Sequence, residues 1–204
     1  MQIIKKYFKD LTELQYNQIA KLPILYKFWN EKINVISRKD IKDIETHHIL
    51  HSLSIGKIIN FKDKTKILDI GTGGGFPGIP LAILYPKCNF VLVDSIGKKI
   101  KVVNNIIEEI GVKNCIALNL RAENLDQKFD FIVSRAVTNM SKFKSYASGK
   151  INTKQKNKIK NGILYLMGGD LDKELCKIEY KTYNISDYFD ESFFKTKKII
   201  HVKN

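Results

Sequence analysis

Residues 66–78, KILDIGTGGGFPG, carry five glycines within eight positions, directly after a short apolar run. The next apolar run, NFVLVD (89–94), ends on Asp94. A strand running into clustered glycines lets the backbone approach a ligand where a side chain would collide. An acid at the carboxyl end of the following strand lies beside that loop, within reach of a ribose diol. The two features together describe a nucleoside crevice at the carboxyl end of a parallel sheet.

The flanking pattern supplies such a sheet. KKIKVVNNIIEEIG (98–111) reads as a helix stopped by Gly111, and PLAILY (80–85) reads as helical. NCIALNL (114–120), FDFIVSRA (129–136), GILYLM (162–167) and TKKIIHV (196–202) read as strands, with a helix expected over 139–148. Alternating strands and helices predict an α/β chain whose mostly parallel sheet is covered on both faces. Ahead of it, residues 11–33 show helical spacing interrupted at Pro23, and 44–59 repeat that spacing. The expected organisation is a helical extension over 1–60 and one compact unit over 61–204. Lys150 to Asn161 is a polar, lysine-dotted stretch that reads as a loop or a loose helix end.

Gly73, Gly75 and Gly78 satisfy the dinucleotide pattern GxGxxG, but the flanks argue against that ligand. Pro77 stands where the pyrophosphate-binding helix would begin, and Asp69 adds negative charge near a pyrophosphate. S-adenosylmethionine has no phosphate and carries a sulfonium, an ammonium and a carboxylate, so an acid beside the loop suits it. The spacing Asp69, Gly71, Gly73, Gly75 with Asp94 therefore favours a methyltransferase over a nucleotide-dependent oxidoreductase. No [DN]PP[YFW] box marks exocyclic amino chemistry, and no Pro-Cys pair offers a nucleophile for pyrimidine C5.

The net charge of +14 points to a polyanion partner. Composition offers a competing account: 32 of the 35 basic residues are Lys and Ile numbers 30, as in an AT-rich coding background. Against that bias Arg38, Arg121 and Arg135 stand out, because a position that needs only a point charge would have become Lys. Cys88, Cys115 and Cys176 form no CxxC pair or disulfide framework, which predicts a reducing, cytoplasmic setting. The first ten residues have no apolar signal core, and no apolar run approaches the roughly 18 residues of a membrane span.

LDIGTGGGFPGIPLAI with VDSIGKK, then RAENL and FDFIVSRAV, resembles the bacterial small-subunit ribosomal RNA methyltransferase G family. WNEKINVISRKD and HHILHSL resemble that family's leading segment, and the close likeness runs over about 28–140. The resemblance implies a class I S-adenosylmethionine-dependent methyltransferase fold, Rossmann-like, with an N-terminal helical extension. It implies methyl transfer to guanine N7 in the 530 loop of 16S rRNA, at position 527 in the usual rRNA numbering. The small ribosomal subunit is then the partner, with no membrane, no metal and a monomer expected. Family cofactor contacts fall on Gly71, Phe76, Ala122, Glu123 and Arg135; Gly73 and Asp94 complete the expected S-adenosyl-L-methionine site.

Guanine N7 has an exposed lone pair at neutral pH, so its methylation needs alignment rather than a general base. No residue is assigned as catalytic; Arg121 and Arg135 are the positioning candidates. Met167 stands where the family usually has Lys, and the stretch before that strand lacks an expected Pro- and Gly-containing turn. A catalytically weakened RNA-binding homologue and a methyltransferase for another RNA are the alternatives. His47 and His51 are four apart, a spacing zinc can use, but no third ligand is evident and packing or RNA contact is the plainer reading. Phe28 and Trp29 read as a helix-packing anchor, while Tyr180, Tyr183 and Tyr188 could stack on RNA.

Overall fold

The computed structural model describes residues 1–135, 140–169 and 179–203. Helices α1 (Gln2–Tyr7) and α2 (Glu13–Lys32) lead, followed by short α turns α3 (His51–Leu53) and α4 (Ile55–Ile58). Then come β1 (Lys66–Ile70), α5 (Gly78–Leu84), β2 (Asn89–Asp94), α6 (Gly97–Ile110), β3 (Cys115–Asn119) and β4 (Phe131–Arg135). Helix α7 (Met140–Ala147) precedes β5 (Gly162–Gly168), β6 (Tyr180–Asn184) and β7 (Lys197–Lys203). The sheet order is β3-β2-β1-β4-β5-β7-β6, parallel except for β7, which runs antiparallel to both neighbours. The order reverses between β1 and β4, which opens a crevice at the carboxyl ends of these strands.

Two-residue alternation divides the core. Ile67, Phe90, Leu92, Phe131 and Val133 face a cluster shared with Ile19, Leu22, Tyr26 and Leu53 of the N-terminal helices. Leu68, Ile70, Val91, Val93 and Ile132 face Met140 and Phe143 of α7. Cys88 and Cys115 are buried free thiols, and Cys176 lies outside the described residues. Among the described residues no helix is long and apolar enough to cross a membrane.

Several expectations need correction. Helix α2 runs unbroken through Pro23, with Ile19, Leu22 and Tyr26 buried around it; tertiary packing outweighs the hydrogen bond that proline removes. Residues 44–59 are not one regular helix. A π-helical segment (Glu45–Leu50) feeds α3 and α4, and the hydroxyls of Ser52 and Ser54 bond back to the carbonyls of His48 (2.6 Å) and His51 (2.6 Å). Helix α1 and strand β6 were not read from the sequence. Tyr180, Tyr183 and Tyr188 are half-buried side chains that pack against the two cores. Trp29 does pack on the core, whereas Phe28 is 48% exposed under the Lys32 ammonium.

The Lys150–Asn161 stretch is neither loose nor helical. Asp130 at the foot of β4 is 3% exposed and accepts from the Lys66 amide (2.8 Å), Asn152 Nδ2 (3.0 Å) and Lys156 Nζ (2.8 Å). Asn161 donates through Nδ2 to the carbonyls of Asn152 and Lys154 (both 2.9 Å), and Asn157 Oδ1 accepts from the Lys62 amide (2.9 Å). Burial pushes the Asp130 carboxyl up, but the bonds from Lys156, Lys66 and Asn152 outweigh it and its pKa is lowered. Its contribution is therefore present above the ordinary carboxylate range and is lost as pH falls through the lowered value. Asp130→Ala should cost about 2–3 kcal/mol in urea unfolding at pH 7, with the deficit shrinking toward pH 3.

Candidate S-adenosylmethionine cleft

The glycine loop is anchored from beneath. Asp69, in β1, is fully buried; its Oδ2 accepts from Thr72 Oγ1 (2.7 Å) and from the Gly78 amide (2.9 Å). Burial raises its pKa to about 7, against the pull of Thr72, Gly78 and Arg135. Gly75 has φ +92°, and a Cβ there would lie 2.5 Å from Ile79 Cδ1. Gly73 has φ +58°, and a Cβ there would meet no protein atom closer than the Gly71 carbonyl at 4.0 Å. Gly75 is therefore required by packing, whereas Gly73 keeps space open above the loop.

That space is a cleft of about 470 Å³ at the carboxyl ends of β1, β2 and β4. Gly71, Gly73, Phe76, Asp94, Ala122, Glu123, Arg121 and Arg135 all line it, so every residue expected from the sequence meets there. Asp94 Oδ2 accepts from the Gly73 amide (2.9 Å) and Oδ1 from the Ile96 amide (2.9 Å), which fixes the carboxylate while leaving acceptor capacity on both oxygens. Ala122 is buried in a 3-10 turn after β3, with Glu123 and Arg121 exposed on either side.

Arg135, half-buried at the end of β4, is clamped. Its Nη1 donates to the His47 carbonyl (3.1 Å) and its Nη2 meets His48 Nδ1 (2.8 Å). Burial, followed by the Arg135 charge, holds the His48 pKa down at about 3, so His48 is neutral and its Nδ1 accepts. The guanidinium lies 5.2 Å from the centre of the Phe76 ring, which packs against Tyr26 (4.7 Å) and edge-on against His48 (5.1 Å). The Tyr26 hydroxyl in turn donates to the Gly74 carbonyl.

Sequence reading missed Tyr26, Val35 and Tyr146, and weighed His48 with His47 and His51 only as packing, capping or RNA-contact residues. Val35 backs Gly74, where an added Cβ would lie 3.4 Å from the Val35 Cβ, and its own turn is fixed by Asn30 Oδ1 accepting from the Val35 (2.8 Å) and Ile36 (2.9 Å) amides. The segment WNEKINVIS thus shapes the loop's back wall; the paired histidines were its one visible companion signal. Asp69 also needs a revised role. It does not face the cleft as a charge beside the ligand but occupies the first amide of α5, where a pyrophosphate would have to bind. The amide that opens α5 is therefore not free to bind a phosphate. His47 pairs with Asp40 (3.1 Å) and stacks on Phe193 (4.0 Å), and His51 is buried against Phe193 and Phe194.

The profile of the family described as rRNA small subunit methyltransferase G matches residues 15–200. The chain belongs to this family. A family relative from Flavobacterium johnsoniae, named Ribosomal RNA small subunit methyltransferase G, is 55% identical over 203 residues, covering 99% of this chain and 97% of its own. One of the same name from Cytophaga hutchinsonii is 51% identical over 204 residues, covering 99% of both. Among solved structures, a SAM dependent methyltransferase from Aquifex aeolicus matches with TM-score 0.59 and 14% identity, covering 83% of this chain and 100% of its own. The ribosomal protein L11 methylase from Lactobacillus delbrueckii subsp. bulgaricus gives 0.55 and 14%, covering 76% and 77%. These two likenesses establish the class I methyltransferase fold.

Met167 is half-buried in β5 and pairs across the ladder with Lys198 of β7. An ammonium is thus carried on the neighbouring strand, directly opposite the methionine.

Two tests follow. Gly73→Val would put a branched side chain into the cleft at a left-handed backbone position, and S-adenosylmethionine affinity should fall at least roughly 100-fold by calorimetry, with the fold retained. For Asp69, the folded carboxyl holds its proton up to about pH 7 against an ordinary value of 3.8, so its contribution to stability falls as pH rises through that interval. The buried histidines pull the other way, so the difference between proteins is the measurement. The stability of Asp69→Asn relative to the parent should improve by roughly 2–3 kcal/mol between pH 5 and pH 8.

Proposed function

We propose that this chain transfers a methyl group from S-adenosylmethionine to guanine N7 in the 530 loop of 16S rRNA, acting on the small ribosomal subunit in the cytoplasm as a monomer. The observation that carries the reading is the convergence of Gly71, Gly73, Asp94, Ala122 and Arg135 on one cleft whose helix amide is already taken by Asp69. Residues 1–60 are read as the helical extension that supplies the cleft's back wall.

S-adenosylmethionine, when bound, supplies an electrophilic methyl on a sulfonium. Asp94 would accept from the ribose hydroxyls, Ala122 and Glu123 would flank the adenine, and the Gly71–Gly73 backbone would lie along the amino-acid part. Arg135 is a forked cation at the carboxyl end of β4, placed for the methionine carboxylate or an RNA phosphate. Guanine N7 attacks through its own lone pair, so the chain provides alignment and exclusion of water and no side chain takes a proton. Phe76 supports Arg135 from one side, and His48 and the His47 carbonyl hold it from the other.

The deciding assay is transfer of labelled methyl to small subunits that lack the modification, with cleavage at N7-methylguanine to locate it. Label at one guanine of the 530 loop is expected. Absence of label with intact cofactor binding would overturn the reading and leave a silent RNA binder. Arg135→Lys keeps the charge but loses the fork, and should lower kcat/KM roughly 10- to 100-fold while the protein folds normally.

A further inference from the structure

We propose that the end of the sheet opposite the cleft is a second docking surface for ribosomal RNA, built on the ordered Lys150–Asn161 loop. This goes beyond the cofactor site but rests on the RNA-methyltransferase reading. Residues 150–160 contain five lysines and no acid. The loop and the β1 approach are tied together by the Asp130, Asn152, Asn157 and Asn161 bonds, so their lysines share one edge.

Lys62, Lys64 and Lys66 at the start of β1 and Lys154, Lys158 and Lys160 before β5 are all exposed. None of the six has an ion pair among the described residues. The acids flanking these segments are already engaged: Asp63 with Lys87 (3.4 Å), Asp130 with Lys156 (2.8 Å) and Glu179 with Lys203 (2.6 Å). The edge therefore presents six exposed positive charges outside any ion pair among the described residues, with Lys160 alone felt by the Glu179 carboxylate, on a backbone fixed in advance, which lowers the ordering cost of binding a polyanion.

Compositional drift accounts for lysine in place of arginine but not for this order. Connections of more than about 12–15 residues without regular structure are uncommon in compact domains, and most that exist are functional or disordered. This one is neither apolar nor loose. Its two isoleucines, Ile151 and Ile159, turn inward onto the cores, so no apolar side chain is offered for insertion into a membrane. A phosphate backbone fits a purely cationic face.

The test replaces Lys154, Lys158 and Lys160 together by Gln, side chains that take no part in the loop network, with thermal melting as the folding check. Binding to purified small ribosomal subunits should weaken roughly tenfold near 0.1 M salt, and the slope of log affinity against log salt should fall by about 2. S-adenosylmethionine affinity should not change. A control triple, Lys21, Lys27 and Lys101 to Gln, removes the same charge from exposed positions elsewhere and should leave binding within about twofold. Parent-like binding by the loop triple, or equal losses in both triples, would overturn the proposal. So would selective loss of binding to phosphatidylglycerol vesicles with subunit binding intact. The readout is binding, so a protein that docks with this salt signature but transfers no methyl would refute the assigned reaction and leave the surface standing.

Discussion

The buried Asp69 carboxylate under the glycine loop is the constraint on which the rest of the site depends. One oxygen gathers the Thr72 hydroxyl and the Gly78 amide, so the loop's turn and the start of α5 are fixed by a single group. A fully buried carboxyl is costly to keep charged, and its pKa of about 7 reflects that cost. The consequence is selectivity by exclusion: the helix amide that would bind a phosphate is filled from inside the protein. What remains is a polar rim with the Asp94 carboxylate on one side and the Arg135 guanidinium on the other.

Arg135 makes the N-terminal segment part of the same site. Its two terminal nitrogens reach the π-helical segment, one on a carbonyl and one on a histidine ring held neutral by burial. Phe76, Tyr26 and the Gly74 carbonyl complete a continuous path from the β4 end back to the loop. A change in the packing of residues 45–50 would thus be felt at the guanidinium, although these residues lie before the first strand.

The sheet and the cleft were legible because their determinants are local. Apolar runs, the glycine cluster and Asp94 sit at fixed spacing, and all eight expected residues meet in one cleft. The misses share a cause, which is that partners distant in sequence decide the outcome. Pro23 is carried by the buried residues around it, and β6 is specified by pairing with β7 rather than by its own mixed polar pattern. Asp69 reads from the sequence as a charge beside the ligand, whereas the fold turns it under the loop, because nothing in DIGTGG shows which way a carboxylate faces. The lysine stretch looked loose because it buries little; its order comes from Asn and Asp side chains, which carry no periodic signal.

The three arginines show how far a compositional argument reaches. In a chain that writes nearly every cation as lysine, Arg135 makes two directed bonds from one planar group while lying over an aromatic ring, which an ammonium on a flexible stem cannot reproduce. Arg121 lines the cleft but is exposed, and Arg38 is exposed with no ion pair among the described residues, so the argument is met in full at one position. Lysine, by contrast, is spread over the whole chain, and six exposed ones outside any ion pair among the described residues share the far end of the sheet. The chain thus separates two electrostatic tasks: directional cation chemistry at the carboxyl ends of the strands, and undirected attraction at their amino ends. That separation lets the grip on a large polyanion change, by adding or losing single lysines, without disturbing the geometry that aligns a methyl group.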